Sequence, residues 1–135
     1  MIHRRLSFAL AGALLSLAAT SAAGAQALCG APAAEPGARL RGPVLHVLDS
    51  ETLCLALGPT PDRWLQLRLS DAGEPGSGAV PTRGALMSVA FGRDVDCHIL
   101  DVAEIGNQAT CEREGRTLAA RAREPKAARA GRGWR

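Results

Sequence analysis

From Leu45 to Glu74 the chain runs LHVLDSETLCLAL, then a Pro/Gly-rich break, then WLQLRLSDAGE. Asp49 and Glu51 flank a turn, and Asp71 and Glu74 follow the end of an apolar, alternating run. Carboxylates placed at strand ends can converge on one hard cation, because Ca2+ is satisfied by oxygen ligands. A further carboxylate can orient a water for attack on a phosphodiester. Such chemistry also calls for positive donors, since charge builds on the phosphoryl oxygens in the transition state. In the run leading to Asp71 the only cation is Arg68, and Gln66, two residues before it, is neutral. Taken alone, Asp49-Ser50-Glu51 is ordinary hairpin chemistry and residues 71–74 an ordinary polar loop.

The elements that would hold these residues follow from the hydrophobic pattern. Residues 43–48 and 52–57 read as two strands around the acidic turn, and the breaker cluster Gly58-Pro59-Thr60-Pro61-Asp62 ends the second. Residues 64–69 alternate, with Leu65, Leu67 and Leu69 on one face and Trp64, Gln66 and Arg68 on the other. After a loop at 70–81, residues 82–91 have helical spacing through Ala85, Leu86, Val89 and Ala90, and Gly92 stops them. Residues 94–100 alternate again, with Val95, Cys97 and Ile99 inward, and 108–113 return as a fifth strand carrying Cys111. Residues 117–123 allow one or two helical turns before Pro125. Three strands, a helix and two more strands predict a mainly β fold, a small five-stranded barrel.

The ends and the composition bound the class. Arg4 and Arg5, an apolar run over 6–20 and Ala25-Gln26-Ala27 have the build of a cleaved secretory signal peptide over residues 1–27. The run is too short for a membrane span. Residues 28–42 are rich in Ala, Pro and Gly and read as an irregular lead-in, with the folded domain over 43–120. Cys29, Cys54, Cys97 and Cys111 all follow the signal segment, and an even count in an exported chain favours two disulfides. No close Cys-x-x-Cys pair supports zinc. Three pairings exist. Cys97 and Cys111 lie in alternating runs around one turn, which favours that pair first and leaves Cys29 with Cys54. Residues 28–120 hold twelve acids against eight bases, whereas 121–135 hold six bases and one acid. The acidic body is no polyanion surface. The basic tail reads as a disordered terminus, able at most to bind nucleic acid or another anionic polymer weakly. With no Tyr and few other aromatics, base-stacking platforms for single strands are nearly absent. His46 and His98 read as solvated strand residues, and no nucleophile stands at useful spacing from either.

Order and spacing resemble the staphylococcal-nuclease-like (thermonuclease) domain, a five-stranded OB-fold with a helix between its third and fourth strands. The resemblance covers residues 42–118. It is carried by HVLDSETL, LQLRLSDAGE, GALMSVAFGRDVDC, EIGNQATC and GRTL, set against V-x-V-x-D-G-D-T-L, V-R-L-x-G-I-D-A-P-E, a helix closed by Gly and G-x-x-V-x-C, D-x-Y-G-R-x-x-A-x-C, and G-x-x-L. The positions of Cys97 and Cys111 match those of exported bacterial members.

The resemblance implies roles residue by residue. The metal-binding acids fall on Glu51 and Asp71, and the residue that aligns the attacking water falls on Glu74, with Gly73 where the family has proline. The first family arginine falls on Gln66, leaving Arg68 as a displaced stand-in, and the second falls on Asn107. Bidentate guanidinium donors stabilise phosphoryl charge in a way that neutral amides do not, and losing one well-placed donor costs about a hundred- to a thousandfold in rate. The family also continues past G-x-x-L with a helix that closes the barrel's far side, where this chain runs ARAREPKAARAGRGWR. The expectation is therefore an exported, periplasmic or secreted monomer with a degenerate catalytic set, serving as a small binding or structural module. The alternative is a weak nuclease of DNA or RNA, for which Ca2+ is the implied cofactor; otherwise none is expected.

Overall fold

The structure, a computed structural model, describes residues 28–73, 79–104 and 106–134. The expected signal segment, 1–27, lies outside the described residues. Among the described residues the chain forms, in order, β1 (Arg39–Val47), β2 (Thr52–Ala56), a short 3-10 turn (Pro61–Arg63), β3 (Trp64–Leu69), α1 (Arg83–Ala90), β4 (Asp94–Val102), β5 (Asn107–Arg113), β6 (Arg116–Thr117), α2 (Leu118–Ala122) and α3 (Pro125–Gly131).

The strands close on themselves. Neighbours run β3-β2-β1-β4-β5-β6, and β3 also pairs with β5 in parallel, so the first five strands form a barrel of OB type. β1 makes this possible by serving two partners. Its first half, Arg39 to Pro43, pairs with β4, and its second half, Val44 to Val47, pairs with β2 across a bulge between Val44 and His46. A bulge bends and twists its strand, which lets one strand turn a barrel corner. The alternation read from the sequence is the inside-outside alternation of the barrel. Leu53, Leu55, Leu65, Leu67, Val95 and Ile99 are fully buried in it, and Leu69 nearly so.

α1 caps one end of the barrel. Thr82 accepts a hydrogen bond from the Ala85 amide at its N-terminus, and Leu86 drives into the core. The two disulfides pair Cys97 with Cys111 across β4 and β5, and Cys29 with Cys54.

Two sequence expectations need correction. The lead-in is not irregular throughout, because residues 39–42 belong to β1 and their backbone completes the ladder with β4. Upstream of them, residues 30–38 form a strap across the barrel's outside. Gly30 donates to Pro61 O (2.8 Å), Ala31 to Trp64 O (3.0 Å) and Gly37 to Ile99 O (2.8 Å). With Cys29 bonded to Cys54, the strap explains why every residue of β2 is buried, not only its inward face.

The second correction is the tail. Residues expected to be disordered complete α2 and form α3, which pack on α1. Ala122, Ala127 and Gly131 are buried there. The contact is backbone to backbone: a methyl on Gly84 would stand 2.2 Å from the Gly131 carbonyl oxygen, and one on Gly131 would stand 2.3 Å from the Ala85 nitrogen. Small residues let helices approach this closely without any large apolar side chain. Trp134, beyond α3, sets its ring edge-on to Phe91 at 6.0 Å.

Candidate functional site

The β1–β2 turn, the end of β3 and the start of β5 meet at one rim of the barrel. The Leu69 amide donates to Glu51 O (2.7 Å), which fastens the acidic turn to the end of β3. Thr52 and Arg68 are paired across β2 and β3, so Arg68 projects beside Glu51. Its Nη2 and Nε donate to the same carboxylate oxygen, Glu51 Oε2, at 3.0 and 3.2 Å. Arg68 is well exposed and Glu51 much less so. The displaced arginine thus reaches the expected metal-site acid and is engaged by it.

Around this pair the rim is acidic. A depression of about 480 Å³ is lined by Asp49, Glu51, Gln66, Arg68 and Glu104, three carboxylates to one guanidinium. Coulomb repulsion from such a wall disfavours a polyanionic backbone. Gln66 projects there from the same face of β3 as Arg68, and its backbone is pressed by Gly106. That glycine has φ +77°, and a methyl on it would stand 2.1 Å from Gln66 O, so no other residue fits there without rearrangement.

Asp71 lies just beyond β3 with its carboxylate Oδ1 buried and without a hydrogen-bond partner. Gly73 approaches Glu51, such that a methyl on it would stand 3.0 Å from Oε1. The loop bearing Asp71 and the turn bearing Glu51 are therefore neighbours. Glu74 lies outside the described residues. Among the described residues no three His, Cys, Asp or Glu side chains are grouped to hold a metal ion. An orphaned carboxylate oxygen is what a cation would satisfy. Even so, Asp71 with an arginine-bound Glu51 falls short of the six to eight oxygens of a Ca2+ site, so the described donors do not by themselves fit the ion.

Sequence reasoning missed Arg123. Its guanidinium reaches from the α2–α3 junction to the loop after β3, where it donates to the carbonyl oxygens of Asp71, Ala72 (3.0 Å) and Ala79 (3.3 Å). A basic residue read as tail charge thus pins the loop that carries the candidate acid. No local signal announces this contact.

Asn107 is the most decisive position. It opens β5 and is fully buried. Its Oδ1 accepts from the Ala34 amide (2.7 Å), while Nδ2 donates to Ala34 O (2.8 Å) and to Asp101 O (3.1 Å). The side chain clips the strap to the barrel and presents nothing to solvent. Gln66, Arg68 and Glu51 are brought together at the rim; Asn107 is withdrawn beneath the strap. His46 and His98 stay partly exposed on their strands.

No protein-family model matches this chain, and no curated protein matches it.

Proposed function

We propose that the chain is a catalytically degenerate thermonuclease-like barrel, acting as a small binding or structural module of the cell envelope. The observation that carries this reading is Asn107. At the position where the resemblance asks for a phosphate-gripping arginine, the chain has a buried amide whose donors and acceptor are spent on the strap and on Asp101. A transition state that gathers charge on phosphoryl oxygens would find no donor there. Gln66 supplies only a neutral amide at the other position, and Arg68 is neutralised by Glu51. The acidic rim argues the same way. An envelope or extracellular setting is supported by the two disulfides, which persist in oxidising compartments. No helix among the described residues is long and apolar enough to cross a membrane.

A second reading, a weak Ca2+-dependent nuclease, draws on the unpartnered Asp71 Oδ1 and its nearness, through Gly73, to Glu51. One assay separates the two. Purified protein incubated with DNA and with RNA, in Ca2+ and in chelator, is expected to show no chelator-sensitive cleavage. Cleavage that requires Ca2+ and disappears in Arg68→Ala would overturn the degenerate reading.

A further inference from the structure

We propose that the cleft where α2 and α3 meet α1 and β5 binds a small, multiply charged oxyanion of the phosphate type. The cleft has a volume of about 270 Å³, and Arg93, Arg113, Arg121 and Lys126 line it with a single acid, Glu124. Val89, Ala127 and Ala130 give it an apolar wall, which lowers the local dielectric and strengthens charge interactions inside. The size suits one tetrahedral anion or a compact monoester rather than a polymer.

Arg113 and Arg121 are held in place chiefly by uncharged carbonyl groups. Arg113 donates through Nη1 to Val89 O at 2.9 Å. Arg121 donates through Nε and Nη2 to Arg113 O at 3.1 and 2.8 Å. Carbonyl oxygens orient these guanidiniums but carry no charge to offset theirs. The carboxylates nearby are poorly placed to do so. Glu124 forms an ion pair with Arg116, and Glu114 meets Arg121 only at 3.4 Å from a largely exposed side chain. Arg93 and Lys126 have no ion-pair partner among the described residues. Arg113 also keeps a buried Nε–H with no acceptor. Two of the four cations, Arg93 and Arg113, come from residues 28–120, where acids outnumber bases, and folding of the basic segment 121–135 brings Arg121 and Lys126 to meet them. Mutual repulsion among the four cations is relieved by one anion. Planar guanidinium forks and an ammonium are the groups that hold phosphate oxygens.

The cleft exists only because the basic tail is folded. Lys126 comes from α3 and Arg121 from α2, and they meet Arg93 and Arg113 of the barrel. It shares no residue with the rim that holds Glu51, Arg68 and Gln66, so its fate does not depend on the presence or absence of nuclease activity.

Calorimetric titration of the full domain with inorganic phosphate, and separately with glycerol 3-phosphate, tests the proposal at fixed ionic strength. The expected result is saturable one-to-one binding of at least one of the two, the tighter one identifying the free anion or the monoester as the better ligand. In R93Q/K126Q, which removes two side chains with no structural bond, affinity is expected to fall at least about tenfold with the thermal midpoint in phosphate-free buffer unchanged. Absence of saturable binding by the parent protein would overturn the proposal. So would equal affinity in the double variant, or an equal response to chloride at matched ionic strength.

Discussion

At the scale of single residues, Asn107 shows a polar side chain spent wholly on structure. Its amide satisfies both the N–H and the C=O of Ala34 and also caps Asp101 O. Truncation would leave buried or half-buried backbone groups without partners, which costs more than the net worth of the bonds themselves. Asn107→Ala is accordingly expected to lower stability by about 2–4 kcal/mol in urea or guanidinium titration, with hydrogen exchange at the Ala34 amide speeding up. A loss below about 0.5 kcal/mol would mean that the strap holds without its clip. By contrast Arg68 and Glu51, an exposed pair, contribute little to folding. Their interest is chemical.

At the scale of elements, the helical tail is the instructive case. Replacing Gly131 by valine forces side-chain atoms into the Ala85 backbone, and overpacking of this kind costs about 1–3 kcal/mol. Gly131→Val is expected to loosen α3 and to accelerate tryptic cleavage at Arg129 and Arg132, while the barrel's strand signal in circular dichroism persists. Cleavage at the parent rate would show that the helix packs by some other contact. This element also marks what the sequence did and did not disclose. Strands β2 to β4 were legible because inward Leu, Val and Ile recur at every second position, and β5 because Ala109 and Cys111 keep the same period, a pattern that local physics imposes. The α1 helix was legible from its spacing and from Gly92, which stops it. α3 was not, because alanines among arginines read as solvated chain. Its burial depends on Gly84, far away in sequence, and no local pattern records that pairing. The candidate site divides in the same way. Glu51 beside Arg68 follows from strand register, whereas the burial of Asn107 depends on a partner in the lead-in, and the role of Arg123 depends on the whole tail folding back.

At the scale of the molecule, a modest barrel is held by a strap and by covalent links. The Cys29–Cys54 bridge spans 25 residues and Cys97–Cys111 spans 14, so loop-closure entropy gives each about 3 kcal/mol. The two differ in what they protect. Replacing Cys29 and Cys54 together by serine is expected to cost about 3 kcal/mol and to raise exchange at the Gly30 and Ala31 amides. The Cys97–Cys111 hairpin should keep its protection. Uniform loss of protection across both regions would mean that strap and barrel unfold as one unit.

The parallel seam between β3 and β5 carries a consequence for how the chain comes into being. A polypeptide emerging N-terminus first holds β3 long before β5 exists, and until residues 107–109 arrive opposite 67–69 that flank stays an unmatched ladder. The clip on Ala34 must wait for the same arrival. Maturation of this molecule is thus postponed to a late, distant encounter, the kind that makes β-rich chains slow to mature and vulnerable to sticking along the way.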